Sequence, residues 1–116
     1  MITISIITVV LNAEKTIERT VKSVISQPYS QFQYIIIDGG STDGTLEIIS
    51  KYKGKIDIVV SESDYGLYHA MNKGIELATG DIIGMINADD YYYPDFFKDV
   101  IESFKDVNLE SNIFFG

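Results

Sequence analysis

Cysteine is absent from the 116 residues, which excludes disulfides and thiolate metal sites. That absence suits the cytosol, and a cytoplasmic location is the expectation. Bases are scarce. Nine Lys and Arg stand against seventeen Asp and Glu, a net charge of −8, so no basic face is available to meet a nucleic-acid backbone. No nucleic-acid partner is expected, and most of the excess acid serves solubility. Long apolar runs are also missing: none reaches the roughly 18 residues of a membrane span. The opening MITISIITVV has neither a basic leader nor a small-residue cleavage site. Its β-branched content reads as a buried strand and not as a signal peptide. There is no low-complexity tract and no repeat at fixed spacing.

What is present is one domain's worth of chain, 46% apolar and 22% charged, in which strand and helix patterns alternate. Residues 2–10 are β-branched and nearly all apolar, as in a strand covered on both faces. Asn12 is placed to cap a helix over 13–27, whose Ile17, Val21, Val24 and Ile25 fall on one stripe and which Pro28 ends. Residues 32–37 form a second strand running into Asp38, and a helix begins near Asp43 and ends around Gly54. A third strand covers 56–61. The helix over 67–79 carries Leu67, Ala70, Met71, Gly74, Ile75 and Ala78 on its apolar side, with Gly80 as C-cap. A fourth strand, 81–87, leads into Ala88, Asp89 and Asp90. Pro94 opens a helix over 95–106 with Phe97, Val100, Ile101 and Phe104 inward, and 112–116 reads as a fifth strand. Strands joined by crossover helices make a parallel sheet, so the expected fold class is α/β, open and doubly wound.

In such sheets ligands bind beyond the carboxyl ends of the strands. The informative loops are therefore 11–13, 38–43, 63–66 and 87–90. Three of them bring acids to one edge: Asp38, Asp64, and the pair Asp89 and Asp90. Crowded carboxylates repel one another, and a site that tolerates them usually holds a cation. Oxygen ligands suit Mg²⁺ or Mn²⁺, which take their remaining ligands from phosphates and water. That points to a diphosphate ligand carrying its own metal. Asp43 needs no such role, since acid is favourable in a first helical turn. Asp89 and Asp90 adjoin each other after a buried strand, several residues before the next helix, which sets them apart from caps. Gly39 and Gly40 suit either close approach of backbone to a ligand or a plain turn. His69, the single histidine, sits on a polar helix face and reads as solvated. Tyr91, Tyr92 and Tyr93 fit stacking on a base or sugar and loop packing equally.

The segment 38–45, DGGSTDGT, resembles the loop after the second strand in family 2 glycosyltransferases of the GT-A fold. Asn87-Ala88-Asp89-Asp90 resembles their metal-binding motif of the Asp-x-Asp type. Residues 61–75, SESDYGLYHAMNKGI, are similar to a third family signature, and 5–12, SIITVVLN, to the first strand. Four segments in the right order span nearly the whole chain, with bacterial enzymes of O-antigen and capsular polysaccharide synthesis the nearest in kind. The resemblance implies an inverting transferase that uses Mn²⁺ or Mg²⁺ and a nucleotide-diphosphate sugar, a UDP-sugar foremost, with a glycan or lipid-linked acceptor. It implies that Val9 and Leu11 line the base pocket, that Asp38 holds the base with Gly39, Asp64 and Gly66 nearby, that Asp89 meets the ribose, and that Asp90 binds the metal. The sequence departs from the pattern at Leu11, where many members have an aromatic residue, and at Gly39, where many have a second Asp. Members resemble it only in their first half, the second half usually supplying the acceptor site and the carboxylate base. The expectation is thus a truncated, donor-binding piece, inactive alone. In a longer protein, attachment at the cytosolic face of the inner membrane follows from lipid-linked acceptors, and an open sheet edge leaves room for a homo-oligomer.

Three rivals fail or remain on particular residues. A receiver domain needs an acidic pair after strand one, where Val10-Leu11-Asn12 stands. A dinucleotide-binding oxidoreductase needs a glycine-rich turn at the same place. A sugar-nucleotide-binding domain without transfer activity stays open.

Overall fold

In the computed structural model, which describes residues 2–63, 66–105 and 113–115, the chain alternates strand and helix throughout. The strands are β1 (Ile4–Val10), β2 (Phe32–Asp38), β3 (Ile58–Ser61), β4 (Ile82–Asn87) and β5 (Ile113–Phe115). The helices are α1 (Ile17–Ile25), α2 (Thr45–Ser50), α3 (Leu67–Leu77) and α4 (Phe96–Phe104), with a short 3₁₀ turn at Lys53–Lys55. All the strand pairs are parallel, in the order β3-β2-β1-β4-β5. This is the expected α/β sheet. Among the described residues no helix is long and apolar enough to cross a membrane.

The period-two alternation of β1 divides the core into two layers. Ile4, Ile6 and Val10 face α1, α2 and α4, packing with Ile17, Val21, Val24, Ile49, Phe97 and Val100. Ile7 and Val9 face the opposite side, where Ile35, Ile37, Ile83 and Ala70 of α3 close over them. β1, central in the sheet, is buried along its whole length, as a strand covered on both faces is.

The helix starts differ from expectation. α1 begins only after Thr16, and Asn12 does not cap it. Asn12 instead adopts a left-handed φ of 50° and ties two loops together. Its Oδ1 accepts from the Thr42 and Asp43 amides at 2.8 and 3.4 Å, and its own amide donates to Ser41 Oγ at 2.8 Å. Nor is Gly80 a C-cap, since α3 ends at Leu77 and Ala78 is its C-cap. Gly80 allows the chain to pass close beneath β1, where an added Cβ would lie 2.6 Å from the Ser5 nitrogen. Leu67, expected inward, is 53% exposed at the mouth of the site.

From β1 the chain crosses through α1 to β2, toward one edge of the sheet, whereas from β4 it crosses through α4 to β5, toward the other edge. The strand order therefore reverses between β1 and β4. Their carboxyl ends flank a crevice, the place such sheets reserve for ligands.

Candidate donor-binding site

Three neighbouring cavities open along that edge. The first, about 460 Å³, is lined by Val9 to Thr16 with Ala88 and Asp89. A second, about 240 Å³ and more apolar, shares Val9, Val10 and Leu11 and adds Gly39, Gly66, Leu67, Ala70 and Asn87. The third, about 480 Å³, lies between α3 and the segment after β4, lined among others by Tyr68, Met71, Met85, Asp90 and Tyr91. Six residues singled out in the sequence thus meet at one edge: Val9, Leu11, Gly39, Gly66, Asp89 and Asp90. Val9 is nearly buried and forms a floor, while Leu11 stands 59% exposed as a wall. Asp64 lies outside the described residues.

Asp38 is placed differently. It is fully buried and lines none of the three cavities. Its Oδ2 accepts from the Gly40 and Ser41 amides and from Ser61 Oγ at 2.9–3.0 Å, and its Oδ1 from Ser41 Oγ at 2.5 Å. Four donors satisfy the carboxylate inside the protein. This corrects the crowding argument, because Asp38 needs no cation to offset it and adds no charge to the rim. Its role in this geometry is to fold the loop after β2. In that loop Gly40, and not Gly39, takes the positive φ, 96°, that a side chain would resist.

Asp43 lies just before α2, ahead of the N-cap Gly44 and not in the first turn expected of it, and its side chain folds the helix start. Its Oδ1 accepts from the Thr45 amide and hydroxyl at 2.9 and 2.6 Å, and its Oδ2 from the Glu14 amide at 3.2 Å. These bonds, the Thr45 hydroxyl first, hold its carboxyl below the usual value. On the far wall, Lys73 pairs with Glu62 at 2.9 Å and lowers the Glu62 carboxyl, which fastens the end of β3 to α3. His69 is half-buried, close enough to Glu62 to act on its charge, and so less solvated than the sequence suggests.

The loop after β4 is built on the opposite plan to that of Asp38. Asp89 and Asp90 are exposed, and among the described residues neither carboxylate has a hydrogen-bond or ion-pair partner. The loop is held by its backbone. Thr20, fully buried on α1, places its Oγ1 2.9 Å from the Ala88 oxygen and 2.5 Å from the Asp90 oxygen. Arg19 donates to the Asp89 oxygen at 3.2 Å while its guanidinium lies 4.3 Å from the centre of the Tyr91 ring. One turn on, Ser23 Oγ accepts from the Tyr92 amide at 3.1 Å. Another turn on, the buried Gln27 donates to the Tyr93 oxygen and accepts from the Phe97 amide, both at 2.9 Å. One face of α1 and the residue just past its end therefore supply partners to an irregular segment that pairs with itself only at a few points.

Neither the three α1 residues nor Gln27, just past the helix end, was singled out in the sequence. The available signal was the run of polar Thr20, Ser23 and Gln27 beside the apolar stripe of Ile17, Val21 and Val24, on a helix buried at that edge. Of the tyrosine run, Tyr92 is packing: its ring stacks on Phe96 at 4.3 Å and burial pushes its phenol far up. Tyr91 and Tyr93 remain exposed.

Among the described residues no three His, Asp or Glu side chains converge as a metal-holding group. At this edge, among the described residues, the acids whose carboxylates are free to take a cation are Asp89 and Asp90.

Known proteins agree with this architecture. Glycosyl transferase family 2 matches residues 5–113. A PGL/p-HBAD biosynthesis glycosyltransferase of Mycobacterium bovis is 37% identical over 92 residues, covering 77% of this chain and 36% of its own. The putative teichuronic acid biosynthesis glycosyltransferase TuaG of Bacillus subtilis is 37% identical over 95 residues, covering 79% of this chain and 38% of its own. The chain thus spans little more than a third of these relatives. Among solved structures, S. aureus TarS 1-349 in complex with UDP-GlcNAc superposes with a TM-score of 0.82 at 28% identity, over 89% of this chain and 31% of that one. A Pyrobaculum calidifontis mannosyltransferase, in complex with GDP-Man and Mn²⁺, superposes with a TM-score of 0.83 over 91% of this chain and 33% of its own; at 23% identity it speaks for the fold alone. With the α/β sheet, the edge cavities and the family match in agreement, this chain belongs to glycosyl transferase family 2 and has the GT-A fold.

Proposed function

We propose that this chain is the donor-binding part of an inverting glycosyltransferase. It grips a nucleotide-diphosphate sugar, a UDP-sugar foremost, for transfer to a glycan or lipid-linked acceptor in surface polysaccharide synthesis. The observation that carries this reading is the pair Asp89 and Asp90, whose carboxylates have no partner among the described residues and which stand over adjoining cavities on a loop whose Ala88, Asp89 and Asp90 carbonyls meet α1. Val9 and Leu11 offer an apolar floor and wall for the base, Gly39 and Gly66 let backbone approach it, and we assign Asp64 to the base as well, on the family resemblance. Asp38 serves the base indirectly, by shaping the loop beside it. Asp89 suits the ribose hydroxyls, and Asp90 the metal.

The donor set fits Mg²⁺ or Mn²⁺. These ions need only one or two protein carboxylates when a diphosphate and water complete the shell, so the absence of a third acid among the described residues is no obstacle. A bound divalent ion offsets the charge that builds on the departing nucleoside diphosphate. In an inverting transfer the acceptor oxygen forms its bond to the anomeric carbon on the face opposite the leaving diphosphate, as the bond to the phosphate oxygen breaks. The acceptor's proton needs a base, which we assign to the portion of the relatives that this chain does not span.

Calorimetry with UDP and UDP-sugars, each with and without Mn²⁺, tests the reading. The expected result is binding that Mn²⁺ strengthens, without transfer to a glycan acceptor. Indifference to the metal, or no binding at all, would overturn the donor-site assignment. Turnover by the 116-residue chain would overturn the assignment of the base.

A further inference from the structure

We infer that α1 is a template for the acidic loop, and that Thr20, aided by Arg19, is a positioning residue that sets where Asp89 and Asp90 stand. The inference rests on the donor-site reading above and names what tunes that site. Segment 88–97 has little regular structure before α4 begins at Phe96, yet its carbonyls and amides must find partners. Several of them find partners on one face of α1, at Arg19, Thr20 and Ser23, and just past its end at Gln27, spaced so that each meets the next part of the segment. Thr20 matters most because it is fully buried and a single hydroxyl lies between the oxygens of Ala88 and Asp90, either side of Asp89. The two carbonyls it meets span the acidic pair, so the pair cannot shift without breaking this contact. Loop shape is thereby decoupled from the acid side chains, which stay free for a ligand. A capping acid would have spent them on the backbone, as Asp38 and Asp43 do.

The substitution Thr20→Val keeps shape and volume and removes the hydroxyl. Thr20→Ser keeps the hydroxyl. Partners of metal ligands typically change metal affinity 10- to 100-fold when removed. In the full 116-residue chain, Thr20→Val should therefore lose about tenfold of the Mn²⁺-dependent part of UDP affinity while its metal-free UDP affinity stays within about twofold, and Thr20→Ser should restore the metal dependence. A metal-free readout runs beside it. The Asp90 amide, which donates to the Asn87 oxygen at 3.1 Å, should exchange its hydrogen faster in Thr20→Val, while the Ile86 amide of β4 does not. Should Thr20→Val fail to fold, the exposed Arg19→Gln should still show a smaller loss of the same kind, about threefold.

Thr20→Val and Arg19→Gln that both match the wild type in Mn²⁺ dependence and in Asp90 exchange would overturn the inference and leave the donor site standing. A Thr20→Val chain that loses metal-free and metal-dependent affinity equally would also overturn it, marking a purely structural residue. A wild type without Mn²⁺-dependent binding would overturn the donor site, with the exchange measurement still judging the template.

Discussion

Two acidic loops stand on the strands that flank β1, one on each side, and are built in opposite ways. After β2, the carboxylate of Asp38 turns inward, is fully buried, and gathers the loop around itself through four hydrogen bonds. After β4, the backbone is gathered by α1, and the carboxylates of Asp89 and Asp90 turn outward without partners among the described residues. The difference teaches that an acid at a strand's carboxyl end is either mortar or ligand, and that the deciding question is what holds the surrounding backbone. A loop that ties itself together with its own carboxylate has none left to offer.

That contrast is breakable by substitution. The largest effect should come from Asp38→Ala, which leaves two amides and two hydroxyls without their acceptor; a loss of about 3–4 kcal/mol of stability is expected in urea unfolding. Gly40→Ala tests the same loop more gently. A side chain at φ 96° is strained and its Cβ would sit 3.2 Å from Ser63 Oγ. A cost of about 2 kcal/mol should appear in the same assay. Asp90→Asn should do the reverse of Asp38→Ala. Its stability should change by less than about 0.5 kcal/mol, while the Mn²⁺-dependent gain in UDP affinity falls about tenfold, roughly 1.4 kcal/mol, by calorimetry. If Asp90→Asn unfolds the chain and Asp38→Ala spares it, the contrast has been drawn the wrong way round.

The smallest effect sharpens the mortar side. Asp43 has its carboxyl held below the ordinary 3.8. A depressed folded pKa means that its contribution is present above the unfolded value and fades as pH falls through the folded one. Asp43→Asn should therefore unfold at lower urea than the wild type near neutral pH, with the gap narrowing as pH is lowered to about 3.

Much of this was legible in the residues because it depends on local pattern. The unbroken apolar run of β1 states that it is covered on both faces, and the strand–helix alternation states a parallel sheet. The adjacent Asp89 and Asp90, set apart from the helix that follows, state that they are not caps. What could not be read was decided by contacts far apart in sequence. Nothing local shows that the carboxylate of Asp38, at the end of a buried strand, turns inward. Asp38 is turned inward by Ser61, 23 residues away, as well as by its own loop. Asn12 looked like a cap because its neighbours did, but the loop beginning at Ser41 claimed its side chain. Thr20 and Gln27 read as ordinary helix polar residues, and their role appears only when a segment some 70 residues later is laid against them.

The most direct test uses Mn²⁺ as a paramagnetic probe in the presence of UDP. Amide signals around Asp89 and Asp90, together with those of Leu11 and Asn12 across the crevice, should broaden first, and Asp90→Asn should abolish that broadening. Loss of signal centred instead on Glu62 or Glu76, or spread evenly over the acidic surface, would contradict the account.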